Sequence, residues 1–410
     1  MSFFGKEQSQ LCVALDVGSR AIKGVVFSMA GKTFQQMHKR VAVQMPSVYA
    51  PVRIVEELHK LLGDVIKEFG RVPSKVTAGF GSSLAEYRVE AWDLPRHSTG
   101  PEGPGSGLRT GAESRGVDWV GKARLNQKEV VAYFSSLFEV HGKNDQAMIA
   151  APTSIEINGY IVPAGVFRGA AQNTLFALGG GARDIRFKTL VSYFPSEISS
   201  LLADMKQMLG GVPLELVPLA SAYREALVHR LQVRDVLLVD IGGTSTMLVL
   251  LKDGTLSQTI SFPFGISHMA QELGEKLKMK PTRDASDQLR QYSQGLTNEK
   301  MQSTIRQHLV PVLAIWSQCF HDALETLYPL GPLTGETYLC GGGAYLPELR
   351  AYIEEGEWLK NISYAVAPRV TVFEGKALFP ENDLKGFFQG PEDAGLASVM
   401  GYQMEHEVLV

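Results

Sequence analysis

Two aspartates stand at the same point of two similar sequence segments. Asp16 ends an apolar, β-prone run in LCVALDVGSRAIKGVVF (residues 11–27), and Asp240 ends one in VLLVDIGGTSTMLVLL (residues 236–251). Each aspartate opens an Asp-x-Gly-small turn, and a second β-prone run follows. A carboxylate at a strand end can hold the waters of a Mg²⁺ ion, which is usually bound through few carboxylates. The segments predict two strand–turn–strand units, each with a carboxylate at its turn.

The residues after each aspartate are suited to binding phosphate. Glycine allows the backbone to approach a ligand closely, and the N–H groups of such turns form concave anion sites. Serine and threonine add hydroxyl donors, and a lysine can reach a phosphate as a point charge. The candidate phosphate ligands are the glycines, hydroxyls and cation of the two turns: Gly18, Ser19, Lys23, Gly242, Gly243 and Thr244. Two ordinary hairpins with Asp-Gly turns are the alternative interpretation.

A third glycine element follows in TYLCGGGAYLPELRAYIEE (residues 337–355). A β-prone run enters Gly341, Gly342 and Gly343, whose missing side chains leave room for a flat base or a ribose. An amphipathic helix is predicted to start near Leu346 or Pro347, because proline suits the first helical turn.

Hydrophobic periodicity places these motifs on a framework of strands and helices. It predicts three strands in 11–48, a helix at 51–70 and a strand near 75–78. Strands are also predicted near 146–163 and 173–192, and a helix near 126–139. The remaining elements are helices at 193–211 and 216–231, three strands in 236–262 and a helix-rich region at 264–330. Residues 336–403 return to the core that the strands in 236–262 begin.

Composition excludes several classes of protein. The net charge is −3 in 410 residues, so the chain has no excess of basic charge that would indicate binding to nucleic acid. The three cysteines, Cys12, Cys319 and Cys340, have neither metal spacing nor a disulfide pattern, which favours a reducing cytoplasm. No apolar run approaches the ~18–20 residues of a membrane span, and the N-terminus lacks a signal-peptide core.

The three glycine segments resemble the phosphate 1, phosphate 2 and adenosine motifs of the actin-like ATPase superfamily, which includes actin, the sugar kinases and the heat-shock chaperones. Two bacterial branches are the most similar: the cell-division protein FtsA and the pilus-assembly protein PilM. The opening motif DVGSRAIKG carries the resemblance, together with 213–231, 252–273 and 392–403. The match covers most of the chain in the correct order and is weakest over 84–185.

The resemblance implies an α/β, actin-like (ribonuclease-H-like) duplicated core. It has a cleft between two domains and a small inserted α+β subdomain of the 1C/SHS2-like type. The implied divisions are domain 1A at 1–83 and 186–212, inserted subdomain 1C at 84–185 with a flexible loop near 97–116, domain 2A at 213–265 and 336–410 including a closing helix, and helix-rich subdomain 2B at 266–335.

The same resemblance implies that ATP and Mg²⁺ lie between the two cores. Asp16 and Asp240 would be the catalytic and metal-orienting carboxylates. Asp287 and Arg290 would contact the nucleoside, unless they form a solvated helix face. Several superfamily members carry a carboxylate where this chain has Val217, before a proline. We therefore expect slow hydrolysis, or nucleotide binding used as a switch.

The first functional interpretation is an FtsA-like scaffold of cell division that assembles with nucleotide and recruits FtsZ through its C-terminal tail. Basic residues in the helix-rich region could bind such a tail, although acidic residues are interspersed. The alternative is a PilM-like adaptor of type IV pilus assembly that binds a peptide of an inner-membrane protein. The ending MEHEVLV, without a basic amphipathic helix, suits this alternative, and it would also suit a truncated or divergent FtsA. A small-molecule kinase is a third interpretation.

Both leading interpretations predict a cytoplasmic protein at the inner face of the cell membrane, with indirect membrane contact. They also predict self-association into dimers or filaments and no nucleic-acid partner.

Overall fold

The computed structural model describes residues 9–31, 33–45, 51–93, 147–157, 160–163, 185–195, 207, 209–279, 282–327, 330–356, 361–379 and 387–406. The predicted loop near 97–116 and the predicted helix near 126–139 lie outside these residues. Most of the predicted helix at 193–211 does so too.

The strands are, in chain order, β1 (Gln10–Val17), β2 (Ala21–Ala30), β3 (Thr33–Gln44), β4 (Lys75–Phe80), β5 (Glu86–Asp93), β6 (Ala147–Ile157), β7 (Tyr160–Pro163), β8 (Ile185–Phe194), β9 (Leu214–Pro218), β10 (Val236–Ile241), β11 (Thr246–Lys252), β12 (Thr255–Phe262), β13 (Glu336–Cys340) and β14 (Arg369–Val372). The helices are α1 (Pro51–Phe69), α2 (Leu219–Glu225), α3 (Ile266–Leu277), α4 (Thr282–Ser293), α5 (Glu299–Leu327), α6 (Pro347–Glu355) and α7 (Ala394–Glu405). A π-helical turn, Ala226–Arg230, continues α2.

Two five-stranded sheets share one topology. Their strand orders are β3-β2-β1-β4-β9 and β12-β11-β10-β13-β14. In each sheet the first three strands along the chain pair antiparallel, and the last two join in parallel. The chain therefore contains a duplicated α/β core, which confirms the predicted fold class.

Burial explains why the central strands read as unbroken apolar runs. In β1, residues 11–15 are all buried, and in β10 residues 236–239 are. Strands that are covered on both faces lose the alternation of polar and apolar residues. The runs end at Asp16 and Asp240, so the candidate metal-binding carboxylates lie where each buried strand meets its turn.

A third sheet, of order β5-β8-β6-β7, is inserted between β4 and β9 of the first sheet. It is antiparallel and joins the first sheet where the rings of Phe80 and Phe194 meet edge to face, with centroids 5.5 Å apart. The insertion was predicted to end at residue 185. Its last strand, β8, instead runs on to Phe194, because β8 pairs with both β5 and β6.

Two elements belong to the first sheet although the sequence assigned them to the second core. β9 pairs in parallel with β4, so residues 214–218 form a strand and the helix predicted at 216–231 begins at Leu219.

The closing helix α7 packs on β1 and β4. A Cβ on Gly79 of β4 would lie 2.3 Å from Cγ2 of Val399. Glycine at that position therefore permits the close approach of helix and sheet.

Bilayer-spanning helices need about 20 predominantly apolar residues. Within the described ranges, no helix combines that length with that character.

Candidate functional site

The two Asp-Gly turns have the same backbone geometry. The Gly18 N–H donates to the Ala21 carbonyl at 3.1 Å, and the Gly242 N–H donates to the Ser245 carbonyl at 2.9 Å. Asp16 pairs across its hairpin with Lys23, whereas Asp240 pairs across the other with Met247. The hairpins are therefore structural copies, and only the first carries a cation opposite its aspartate.

The two Asp-Gly turns, one from each five-stranded sheet, lie against each other. The Ser82 hydroxyl, just after β4, lies 3.1 Å from the Ser245 hydroxyl. A Cβ on Gly243 would lie 2.9 Å from both Ser19 Oγ and Arg20 Cβ. Gly243 must therefore be glycine for the turns to approach this closely, which places the predicted phosphate ligands of both turns in one cluster.

The N-terminus of α3 supports the second turn from behind. The N–H groups of Ile266 and Ser267 donate to the carbonyls of Gly242 and Gly243 at 3.0 and 2.8 Å. These carbonyls satisfy donors that an α-helix otherwise leaves unpaired in its first turn. Thr244 lies partly exposed between these glycines and β11.

Asp16 and Asp240 are half-buried and lie next to a tyrosine, Tyr223, that the sequence interpretation did not identify. The Tyr223 hydroxyl, on α2, donates to Asp240 Oδ2 at 2.9 Å. A Cβ on Gly395 of α7 would lie 2.9 Å from Asp16 Oδ2 and 3.3 Å from the Tyr223 hydroxyl. The cluster thus joins one carboxylate from each sheet, with α2 and α7 packed against it.

Partial burial removes water from both carboxylates, which disfavours their charged forms. Desolvation raises the pKa of Asp16 to about 7, with further increases from the charges of Asp240 and Asp393, while Lys23 opposes the shift. Burial also raises the pKa of Asp240, against the hydrogen bond from Tyr223 and the charge of Lys23. Desolvated carboxylates with raised pKa values favour a nearby cation. The donor set therefore fits a hydrated Mg²⁺ ion.

The raised pKa of Asp16 predicts that stability falls as pH rises in magnesium-free buffer. Between the ordinary value of 3.8 and about 7, the folded protein holds a proton on Asp16 that the unfolded chain has lost. The free energy of unfolding should therefore decrease by up to about 1.4 kcal/mol per pH unit in this window. Urea denaturation of the wild type and Asp16→Asn across this range measures the effect. A difference between the two proteins that does not change with pH would contradict it.

Lys23, predicted to bind phosphate, is held by the turn before α7. Its Nζ lies 3.5 Å from Asp393 Oδ1 and donates to the Glu392 carbonyl. Asp393 is fully buried, accepts two contacts from Arg40 Nη2 at 2.9 and 3.1 Å, and accepts the Gln389 N–H at 2.8 Å. Sequence reasoning missed this carboxylate because its partner Arg40 lies 353 residues away. The available signal for Asp393 was its position within 392–403, one of the segments that carry the family resemblance.

The third glycine turn packs directly against β10. Gly341 has φ +82°, and its N–H donates to the Pro391 carbonyl at 2.9 Å. The Gly343 N–H donates to the Ile241 carbonyl at 3.0 Å. Helix α6 then begins at Pro347, as predicted. The turn therefore adjoins Asp240, which places the predicted adenosine element beside the second carboxylate.

Helix α4 brings Asp287 and Arg290 close enough to act on Arg20 in the first turn. Both helix residues are exposed. Burial lowers the pKa of Arg20, the charge of Asp287 raises it, and the charge of Arg290 lowers it. Arg20, which sequence reasoning passed over for its neighbour Ser19, thus links the first turn to the helix-rich region.

Val217 lies where relatives were expected to carry a carboxylate. It is buried in β9 and pairs with Gly79 of β4. Slow hydrolysis remains a prediction, since this side chain offers no polar atom to orient water.

No protein-family model matches this sequence, and comparison with curated proteins gives no significant match. Among solved structures, the chain is similar to the PilM-PilN type IV pilus biogenesis complex. The identity is 16%, the match covers 97% of this chain and 99% of that one, and the TM-score is 0.59. The ethanolamine utilization protein EutJ from Carboxydothermus hydrogenoformans is 12% identical over 96% of this chain and 89% of that one, with a TM-score of 0.45. MreB 5 of Spiroplasma citri bound to AMPPNP is 10% identical over 97% of both chains, with a TM-score of 0.45. The likeness to PilM supports the actin-like fold over nearly the whole chain.

Proposed function

We propose that the protein is an ATP- and Mg²⁺-binding, actin-like adaptor that binds a peptide of an inner-membrane pilus protein, as a PilM-like component of type IV pilus assembly. One observation carries the nucleotide part: the two matching hairpins face each other and bring the half-buried Asp16 and Asp240 together in one cluster. The likeness to the PilM-PilN complex supports the choice of partner. The proposed location is the cytoplasmic face of the inner membrane.

The residues of the cluster divide into groups with different tasks. Asp16 and Asp240 would hold the waters of Mg²⁺, which neutralises phosphate charge. Lys23 and the turns at 18–19 and 242–244 would bind the phosphates, and the glycines at 341–343 would lie beside the nucleoside. Tyr223 keeps the Asp240 carboxylate oriented through its hydrogen bond.

The surroundings of the cluster favour a nucleotide-dependent switch over rapid catalysis. An attacking water must be positioned by a suitable polar group. Val217 supplies none at the expected position, and the Asp240 carboxylate is already engaged by Tyr223. We therefore propose slow ATP turnover at most.

A direct structural connection links the inserted sheet to the cluster. The Leu219 N–H, at the start of α2, donates to the hydroxyl oxygen of Tyr87 on β5 at 3.2 Å. One turn later, the same helix carries Tyr223, which donates to Asp240. A change at the carboxylates can therefore act on the third sheet through a single short helix. This arrangement supports an adaptor in which subdomain 1C binds the peptide.

Isothermal titration with ATP and Mg²⁺ tests the nucleotide site. Asp240→Asn removes one carboxylate charge and should weaken Mg²⁺-ATP binding by about 100-fold, the upper range for a lost interaction at a metal site. Asp253→Asn is the matched control, because Asp253 is exposed at the turn between β11 and β12. Equal affinities for the two variants would contradict the proposed site, and rapid turnover by the wild type would contradict the switch.

The FtsA-like scaffold is the second candidate, favoured by the Gly-Gly-Thr run at 242–244. Fluorescence anisotropy separates the two candidates. Labelled N-terminal cytoplasmic peptides of inner-membrane pilus proteins should bind the adaptor, and the C-terminal peptide of FtsZ should not. Binding of the FtsZ peptide alone would overturn the pilus proposal and leave the nucleotide site unaffected.

A further inference from the structure

The long helix α5 is anchored by one face and exposes the other. Its inner face buries Trp316, Phe320 and Leu324, and the Trp316 indole N–H donates to Thr246 Oγ1 of β11 at 3.0 Å. The orientation of the helix on the second sheet is therefore set by buried contacts. Its outer face is consequently a defined surface that runs along a helix of 29 residues.

Along this outer face, exposed residues recur at intervals of seven in two rows. One row contains Lys300, Gln307 and Ala314, and a second row contains Pro311, Gln318 and Glu325. Pro311 follows Gln307 by four residues, the spacing that sets the rows side by side on a helix. Helices in coiled coils pack along two rows with this spacing, which are apolar there; in this chain only Pro311 and Ala314 of the six residues are apolar. We call these six residues the α5 seam.

The centre of the α5 seam is apolar, and its flanks hold exposed hydrophobic side chains. Pro311 and Ala314 occupy the centre and are both exposed. Beside them, Val310 is 63% exposed and Ile315 is 55% exposed. These four residues form a continuous apolar patch halfway along the helix.

The charges of the seam are arranged symmetrically about this patch and have opposite signs. Lys300 lies ten residues before Val310, and Glu325 lies ten residues after Ile315. Two copies of α5 packed antiparallel would bring Lys300 of each protomer to Glu325 of the other. The same register pairs Gln307 with Gln318 and Pro311 with Ala314. Parallel packing would instead bring like charges together.

We propose that the α5 seam binds the same surface of a second copy of this chain, in an antiparallel two-fold dimer. Such an interface is isologous, so each complementary pair occurs twice. A single pair of helices forms a small interface, and small interfaces belong to weak or transient contacts. The dimer is therefore concentration-dependent, and it requires no nucleotide because none of its residues belongs to the cluster around Asp16 and Asp240.

Sedimentation velocity of the full chain without nucleotide tests the proposal. The wild type should dimerise reversibly with increasing concentration. Lys300→Glu and Glu325→Lys should each weaken dimerisation about tenfold or more, because two attractive pairs become repulsive. The double variant should dimerise like the wild type, since both pairs are restored with reversed signs. Lys276→Glu on α3 makes the same charge change at another exposed site and should have no effect.

Mixing the two single variants provides a second test. Lys300→Glu carries two acidic residues in the seam and Glu325→Lys carries two basic ones, so a mixed dimer contains two attractive pairs. The mixture should therefore associate more strongly than either variant alone. A wild type that stays monomeric at about 1 mM, single variants that dimerise like the wild type, or a mixture without added association would each overturn the proposal. Circular dichroism verifies that the surface variants are folded.

Discussion

Replacing Asp393 with alanine should lower the free energy of unfolding by about 3 kcal/mol or more. The carboxylate is fully buried and holds Lys23 and Arg40. Breaking a buried ion pair costs about 3–5 kcal/mol, because the remaining charge loses its partner. The side chains of Lys23 and Arg40 keep 18% and 21% exposure, so water offsets part of this cost. Urea denaturation measures the loss, provided that the dependence on denaturant stays unchanged.

An exposed ion pair in the same domain provides the control. Lys39 and Glu68 form a salt bridge with side chains that are 41% and 47% exposed. Glu68→Ala should cost less than about 1 kcal/mol, as is usual for surface pairs. Asp393→Asn keeps an oxygen acceptor but removes the charge, so its effect should lie between the two. If Asp393→Ala costs no more than Glu68→Ala, the three-residue network does not hold α7 to the first sheet.

Replacing Gly341 with alanine should destabilise the protein by about 2–5 kcal/mol and weaken nucleotide binding. Gly341 has φ +82°, where a side chain costs about 1–2 kcal/mol. Its Cβ would also lie 2.4 Å from both Asp240 Oδ1 and the Ile241 carbonyl oxygen. A backbone oxygen in a buried strand cannot move away cheaply, and overpacking adds about 1–3 kcal/mol. The steric clash can therefore be relieved only by displacing the Asp240 carboxylate.

The adjacent glycine is a matched control for this prediction. A Cβ on Gly342 would meet only Ile266 Cγ2, at an ordinary 3.6 Å. Gly342→Ala should therefore change the free energy of unfolding by less than about 1 kcal/mol. Urea denaturation and Mg²⁺-ATP titration of both variants test the pair. Similar losses at the two positions would show that the turn does not pack against Asp240 as described.

Local signals accounted for most of the framework. The periodicity of 51–70 predicted α1, and the apolar runs before Asp16 and Asp240 predicted β1 and β10. Proline marked the start of α6 at Pro347. These signals work because helix periodicity, strand burial and turn chemistry depend on residues close together in the chain.

Assignments that depend on long-range packing were less successful. LELVP at 214–218 was read as part of a helix and of the second core, yet it pairs with β4 in the first sheet. A short apolar run cannot be assigned to helix or strand by periodicity alone. The closing helix α7 was likewise placed with the second core, although its small residues allow it to pack on β1 and β4.

The sequence by itself determined that this chain contains two equivalent hairpins, each with an aspartate, because strand and turn propensities act over a few residues. Only the tertiary structure decided that Asp393 holds Lys23, that Tyr223 donates to Asp240 and that the two turns touch. These contacts join residues that are distant along the chain. They form because burial forces each polar group to find a partner among the groups that packing brings near.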